Sequence, residues 1–275
     1  MRTVVHLSDL HFGKVHAHLL APLRDAVVAL KPDATCVSGD LTQRARRSQF
    51  REAAAFLATL PEPRIVVPGN HDVPLYDVAR RFLAPLDRFR EHIEDDPFPS
   101  HIDEEIAIVG VNTARSLTFK DGRINAKQVA EVERRFRGLP DAVTRIVVSH
   151  HPFDVAHDHH RPRDMVGRAA MAMDAFAAAG VDVFLSGHLH ETRIASTAQR
   201  YRIAGFAALV IQAGTTTSTR GRGEANAFNV LRIGSDSLDL ETWRFDVERA
   251  AFSAAAPQRF AYTKGAGWAE VAAAA

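Results

Sequence analysis

The chain has 275 residues, 46% of them hydrophobic and 24% charged, with a formal net charge of +1. That is an ordinary globular balance, enough for one large domain or two small ones, and it lacks the overall basic footprint of a strong nucleic-acid binder. A lone cysteine, Cys36, excludes an internal disulfide framework; no stretch reaches the roughly 20 apolar residues of a membrane span, and charge arrives too early in "MRTVVHLSDLHFG" for a signal peptide, so a soluble cytoplasmic chain is expected.

Apolar, β-branched runs recur from the start, and several are followed by helical patterns. "TVVHLS" (3–8) predicts a strand and His18 to Leu30 a helix. "DATCVSG" (33–39) and "RIVVPG" (64–69) predict two more strands, with a helix from Arg46 to Leu60 between them and a mixed polar-apolar segment from Leu75 to Ile93 after. Strands follow at Ile106–Asn112, Arg145–Ser149 and Val181–Ser186. Helices are expected over Ala126–Arg137, with Asn125 as N-cap, and over Met165–Ala179. Beyond Gly187 the pattern becomes strands only: "TRIAS", "YRIAG", "AALVIQAG", "FNVLRI" and "LDLETWRF". Mixed βαβ order followed by such a section predicts an α/β protein with two sheets and helices outside, in a single domain over 1–275.

Histidine, at 14 dispersed residues, is the unusual component, and its placement is informative. "HLSDLHFG" puts Asp9 and His11 just past the first strand, and "VSGDLT" puts Asp40 past the second. "VPGNHD" places Asn70, His71 and Asp72 past the third; "VVSHHP" and "LSGHLH" add His150, His151, His188 and His190. A lone Asp after Gly is ordinarily a turn residue, and a lone His a satisfied polar group. Five strand ends agreeing is different, because α/β sheets bind ligands where such ends converge. Carboxylate, amide oxygen and imidazole together suit two divalent transition ions, and no cysteine suggests a structural zinc site.

The ordered set D-x-H, G-D, G-N-H-D, H and G-H-x-H, from Asp9 to His190, resembles the calcineurin-like metallophosphoesterase superfamily, and most of all its bacterial class III cyclic-nucleotide phosphodiesterases. The resemblance implies a four-layer αββα sandwich of two mixed β-sheets flanked by helices. It also implies two divalent ions per chain (Mn²⁺, Fe²⁺/Fe³⁺ or Zn²⁺), one held by Asp9, His11, Asp40 and His190, the other by Asp40, Asn70, His150 and His188. Asp40 would bridge them, and a hydroxide between the ions would attack the phosphorus of a small phosphodiester, cyclic nucleotide being the first expectation.

His71 resembles the family histidine that protonates the leaving oxygen or steadies the phosphate. Relatives orient it with an Asp three residues after the bridging Asp; here that position is Gln43. Arg220 and Arg222, in a loop expected to be flexible, are candidate phosphate contacts, and His151 is expected to be structural or to support the ligands from behind. His157, His159 and His160 read as a polar loop near the site, and the arginines of "QRARRSQFR" (43–51) as a solvated helix face. A DNA-repair-type nuclease, a phosphomonoesterase and a non-catalytic binding scaffold are the competing readings.

Overall fold

The computed structural model describes residues 1–118, 120–155, 164–220 and 223–271. The run β1 (Arg2–Leu7) is buried from Val4 onward, as expected of a strand with neighbours on both edges and layers on both faces. It pairs in parallel with β2 (Ala34–Ser38), which pairs in parallel with β3 (Arg64–Val67). Helices α1 (Leu20–Leu30) and α2 (Arg47–Leu57) make the connections. The segment after β3 forms two short helices, α3 (Val78–Leu83) and α4 (Asp87–His92), separated at Pro85, which cannot continue a helix.

The second sheet follows: β4 (Ser100–Ile102), β5 (Ile106–Val111), α5 (Ala126–Phe136), β6 (Thr144–Ser149), α6 (Ala169–Ala178), β7 (Val183–Ser186), β8 (Arg193–Ser196) and β9 (Leu209–Gln212). Asn125 caps α5 in a reciprocal box with Gln128. α6 begins four residues later than the sequence pattern predicts. Gly167 is committed to an extended bridge with Arg123, where its N–H donates to Gly122 and its carbonyl accepts from Ile124. The chain then returns to the first sheet with β10 (Ala227–Ile233), β11 (Ser237–Asp246), β12 (Ala251–Ala254), β13 (Gln258–Thr263) and β14 (Gly267–Val271). "YRIAG" is not a strand but a turn, closed by Gly205 at φ +74.

Among the described residues, one sheet therefore has the order β14-β13-β11-β10-β1-β2-β3, with β12 also on β11, and the other β4-β5-β6-β7-β9-β8. Three apolar layers hold them. Val4, Cys36, Ile65, Ile108, Val148, Leu185 and Ile211 fill the space between the sheets. Leu23, Val27, Phe50 and Phe56 of α1 and α2 cover the outer face of the first sheet; Val132, Phe136, Met173 and Phe176 of α5 and α6 cover that of the second. The architecture is the αββα sandwich.

The C-terminal hairpin ties the sheets together. Trp268, 3% exposed, sits in the inter-sheet core, and its indole N–H donates to Asp182, beside β7, at 2.9 Å. Replacing it with phenylalanine keeps a ring but removes the donor. Trp268→Phe is therefore expected to cost about 1–3 kcal/mol in unfolding free energy, read as a lower urea midpoint at constant slope; an unchanged midpoint would show that this bond contributes nothing net.

Candidate active site

The carboxyl ends of β1, β2, β3, β6 and β7 open at the same end of the sandwich, and every residue expected to hold a metal leaves one of them. Five of these residues occupy the left-handed region: Asp9 (φ 53), His11 (φ 51), Asp40 (φ 51), His188 (φ 74) and His190 (φ 58). Side chains of this kind pay about 1–3 kcal/mol each for such a conformation, and it persists only where the surroundings fix it. Here the loops fix one another. Asp9 N–H donates to Gly39, His11 N–H to Asp40 and Gly187 N–H to His150.

Thr215, Thr216 and Thr217, all buried, clamp the first loop from across the site. Thr215 and Thr217 donate to the Asp9 and Leu10 carbonyls, and Thr216 accepts from Ser8 N–H. This threonine run leads into the loop of Arg220 and Arg222, expected to be flexible, and these bonds hold its first part in place. Its signal was available: it follows a buried strand at the same end as the other motifs. Gly187 is required by proximity, since a Cβ there would lie 1.8 Å from Ser8 Oγ. Gly69 is likewise pressed against Asp40.

The side chains form two adjoining sets. Asp9 Oδ1 lies 3.5 Å from both His11 Nε2 and His190 Nε2, and Asp40 Oδ2 lies 3.6 Å from His11 Nε2. On the other side, Asp40 Oδ1 is 3.4 Å from His150 Nε2, while Asn70 Oδ1 is 3.1 Å from both His150 Nε2 and His188 Nδ1. The two carboxylate oxygens of Asp40 thus face different donor sets. His150 Nδ1 donates to the Ser38 carbonyl at 2.8 Å, which leaves the Nε2 lone pair toward the site. Behind Asp9, Ser8 Oγ donates to Oδ2 and accepts from Ser38 Oγ, which stands 2.9 Å from His6 Nε2.

The electrostatics fit cations. Asp9 Oδ1, both nitrogens of His11 and Nδ1 of His190 are buried without a hydrogen-bond partner; such atoms are costly unless something else satisfies them. Burial pushes the Asp40 carboxyl well above the usual range, and the neighbouring Asp9 and Asp72 charges add to it. Burial would raise Asp9 too, but His190, His11 and His150 outweigh it and hold it well below that range. Burial lowers His188 to about 3 and His190 to about 4, so both present neutral lone pairs, the form that binds metal. A carboxylate, amide and imidazole set of this composition suits divalent ions.

Other expected residues find different places. Asp72 turns away from the metal donors, its carboxylate accepting from Leu41 N–H, Gly69 N–H, Thr42 N–H and Thr42 Oγ. His151 has its ring nitrogens on Thr113 Oγ1 and the Lys120 carbonyl. Arg44 is not on a solvated face. Its Nη1 donates to the Gln43 carbonyl and lies 3.3 Å from His71 Nδ1. His71 Nδ1 is itself 3.0 Å from that carbonyl, and Arg220 Nη1 is 2.8 Å from His71 Nε2. The main-chain carbonyl of Gln43 is therefore the group positioned to orient the His71 ring. A cavity of about 630 Å³ opens here, lined by Asp40, Asn70, His71, His188, His190 and Arg220, and by Lys120, Asp121, Asp164 and Leu189. Arg222, His157, His159 and His160 lie outside the described residues.

The calcineurin-like phosphoesterase model matches residues 2–192. The chain belongs to that family. It is 24% identical over 215 residues to a probable glycerophosphodiester phosphodiesterase GpdQ from Arcobacter nitrofigilis, covering 70% of this chain and 73% of that one. Over 80 residues it is 34% identical to the glycerophosphodiester phosphodiesterase GpdQ of Enterobacter lignolyticus, covering 25% and 29%. A purple acid phosphatase from yellow lupin (Lupinus luteus) shares the fold, with a TM-score of 0.64, 13% identity and coverage of 88% of this chain. This chain spans 51% of the lupin protein. As a calcineurin-like phosphoesterase it is a hydrolase of phosphoric esters. No helix among the described residues is long and apolar enough to cross a membrane.

Because Asp40 faces both donor sets, Asp40→Asn is expected to lower bound metal at both positions and to cut turnover at least about 100-fold. Elemental analysis of the purified variant checks this, and a full complement of two ions would remove Asp40 from the bridging role.

Proposed function

We propose that the chain is a two-metal phosphodiesterase acting on small phosphodiesters. The observation that carries the proposal is the division of Asp40, with Oδ2 toward His11 and Oδ1 toward His150. In this reading Asp9, His11, Asp40 and His190 hold one divalent ion, and Asp40, Asn70, His150 and His188 the other. Such ions, when bound, supply Lewis acidity at the phosphoryl oxygens and lower the pKa of water. Water oxygen bonds to phosphorus, the P–O ester bond breaks, and the proton that the water loses is made up at the departing oxygen, leaving a phosphomonoester and an alcohol, both on one molecule where the diester is cyclic.

The named relatives, both glycerophosphodiester phosphodiesterases by name, support the diester preference. Among the described residues, and apart from the metal donors and His71, the cavity presents Arg220 and Lys120 beside Asp121 and Asp164. The resemblance points to cyclic nucleotides, and the named relatives to glycerophosphodiesters; both are small enough for the cavity. Turnover of cyclic AMP, glycerophosphocholine and a matched pair of aryl diester and aryl monoester by metal-loaded protein tests the reading. The aryl diester is expected to show the higher kcat/KM, and a clear monoester preference would move the chain to the phosphatase branch.

His71 has a narrower task. With Nδ1–H donated to the Gln43 carbonyl, Nε2 is an acceptor for Arg220. Burial, reinforced by His11, lowers this imidazole to about 3 and keeps it neutral. His71 in this arrangement holds the Arg220 guanidinium toward a phosphoryl oxygen and has no Nε2 proton to give. His71→Ala is expected to retain both ions and lose about 10²–10³ in kcat, the effect of misplacing one preorganised donor. The loss should be equal for good and poor leaving groups. A much larger loss with poor leaving groups would make His71 the proton donor instead. Gln43→Ala keeps the main-chain carbonyl and is expected to change kcat/KM by less than about threefold; a loss as large as that of His71→Ala would show that the side chain is needed.

A further inference from the structure

The α3 segment exposes an apolar surface that the hydrolytic site does not use. Tyr76, Val78, Phe82 and Leu83 are 76%, 62%, 54% and 86% exposed, and Leu117 on a neighbouring loop is 85% exposed. Single exposed apolar residues are ordinary, but a cluster of large ones on one element marks a binding surface. Charges on this element are largely used up among themselves. Asp77 and Asp87 both pair with Arg80. Arg81 is buried, and its guanidinium donates to the carbonyls of Pro74, Ser116 and Thr118. That buried cation pins α3 to the loop bearing Leu117 and so holds these apolar residues on neighbouring segments. Val78 and Phe82 lie one turn apart on α3, and Leu83 also borders a second cavity lined by Val67, Pro68, Pro85 and Phe89.

Two links place this face beside the catalytic cavity. Arg44 spans one gap, its guanidinium 5.9 Å from the Tyr76 ring centroid while Nη1 lies 3.3 Å from His71 Nδ1. The loop supplies the other. Leu117 is three residues from Lys120, which lines the cavity with Asp121, and three residues span at most about 10 Å.

We propose that this face is the subsite for an alkyl or acyl chain, and that the substrates are amphipathic phosphodiesters, such as a glycerophosphodiester still carrying one chain. The phosphate enters the cavity while the chain lies over Tyr76, Phe82, Leu83 and Leu117. The inference rests on the phosphodiesterase reading above and names the substrate class of the same site. Continuity with the cavity is what selects this occupant, because a chain attached to a bound phosphate is delivered to the face at no further cost in association.

The test uses metal-loaded protein and two p-nitrophenyl phosphodiesters, one methyl and one octyl, each kept monomeric. A fully buried methylene contributes about fourfold in affinity; a chain lying on an open face realises part of that. The octyl ester is expected to exceed the methyl ester at least about tenfold in kcat/KM, and the ratio should fall toward one in Phe82→Ser/Leu83→Ser. A ratio near one in the parent protein overturns the proposal. So does a high ratio that the double variant leaves intact, including a case where light scattering shows the variant merely dissociating a dimer. If neither ester is hydrolysed, the phosphodiesterase reading fails, and calorimetry decides the subsite separately. Octyl phosphate binding the parent no more tightly than methyl phosphate would then overturn it, and tighter binding lost in the double variant would uphold it.

Discussion

The structure turns on the crowding of carboxylates at one end of a dry sandwich. Donor atoms of Asp9 and Asp40 lie within 4.8 Å of each other, and at an effective dielectric of about 20 two such charges repel by about 3 kcal/mol. Asp72 adds to the field at Asp40. The protein treats the three differently. Asp72 is met by four hydrogen-bond donors from its own loops and serves to shape them. Asp9 and Asp40 instead keep acceptor capacity directed at imidazoles, of which His150 and His190 are held neutral by burial, an arrangement suited to a cation from outside.

Everything around that pair keeps it in place. The left-handed turns at Asp9, His11, Asp40, His188 and His190 are each unfavourable alone, and the loops that carry them bond to one another rather than to solvent. The threonines after β9 and the Ser8–Ser38–His6 chain extend the clamp into both sheets. Strain, burial and unpartnered donors therefore coincide at one location, which is the pattern expected where stability is traded for a preorganised site.

Much of this was legible in the letters. The buried strands announced themselves as β-branched runs, and the site as polar residues following them, because both follow from local chemistry. The closing strands did not. β12, β13 and β14 lie in an Ala- and Gly-rich stretch with only Phe252, Phe260, Gly267 and Trp268 buried, so they carry little strand propensity and exist by pairing with β11 and each other. The delayed start of α6 was hidden because a backbone bridge at Gly167 leaves no side-chain trace. The orientation of His71 was hidden for the same reason: a carbonyl belongs to every residue, and only the turn geometry selects that of Gln43. Arg44 misled because its helical neighbours are solvated, while it precedes the helix and turns inward.

The strand order carries a consequence for folding. β1, which presents Asp9, is flanked on one side by β2 and on the other by β10, and His6 pairs directly with Asn229. β1 gains its second neighbour only when β10, far along the chain, pairs with it. Non-local pairing of this kind folds slowly and exposes unpaired strand edges in the interim. The loop that carries Asp9 and His11 is accordingly steadied on both edges of its strand only after the long-range β1–β10 pairing has formed.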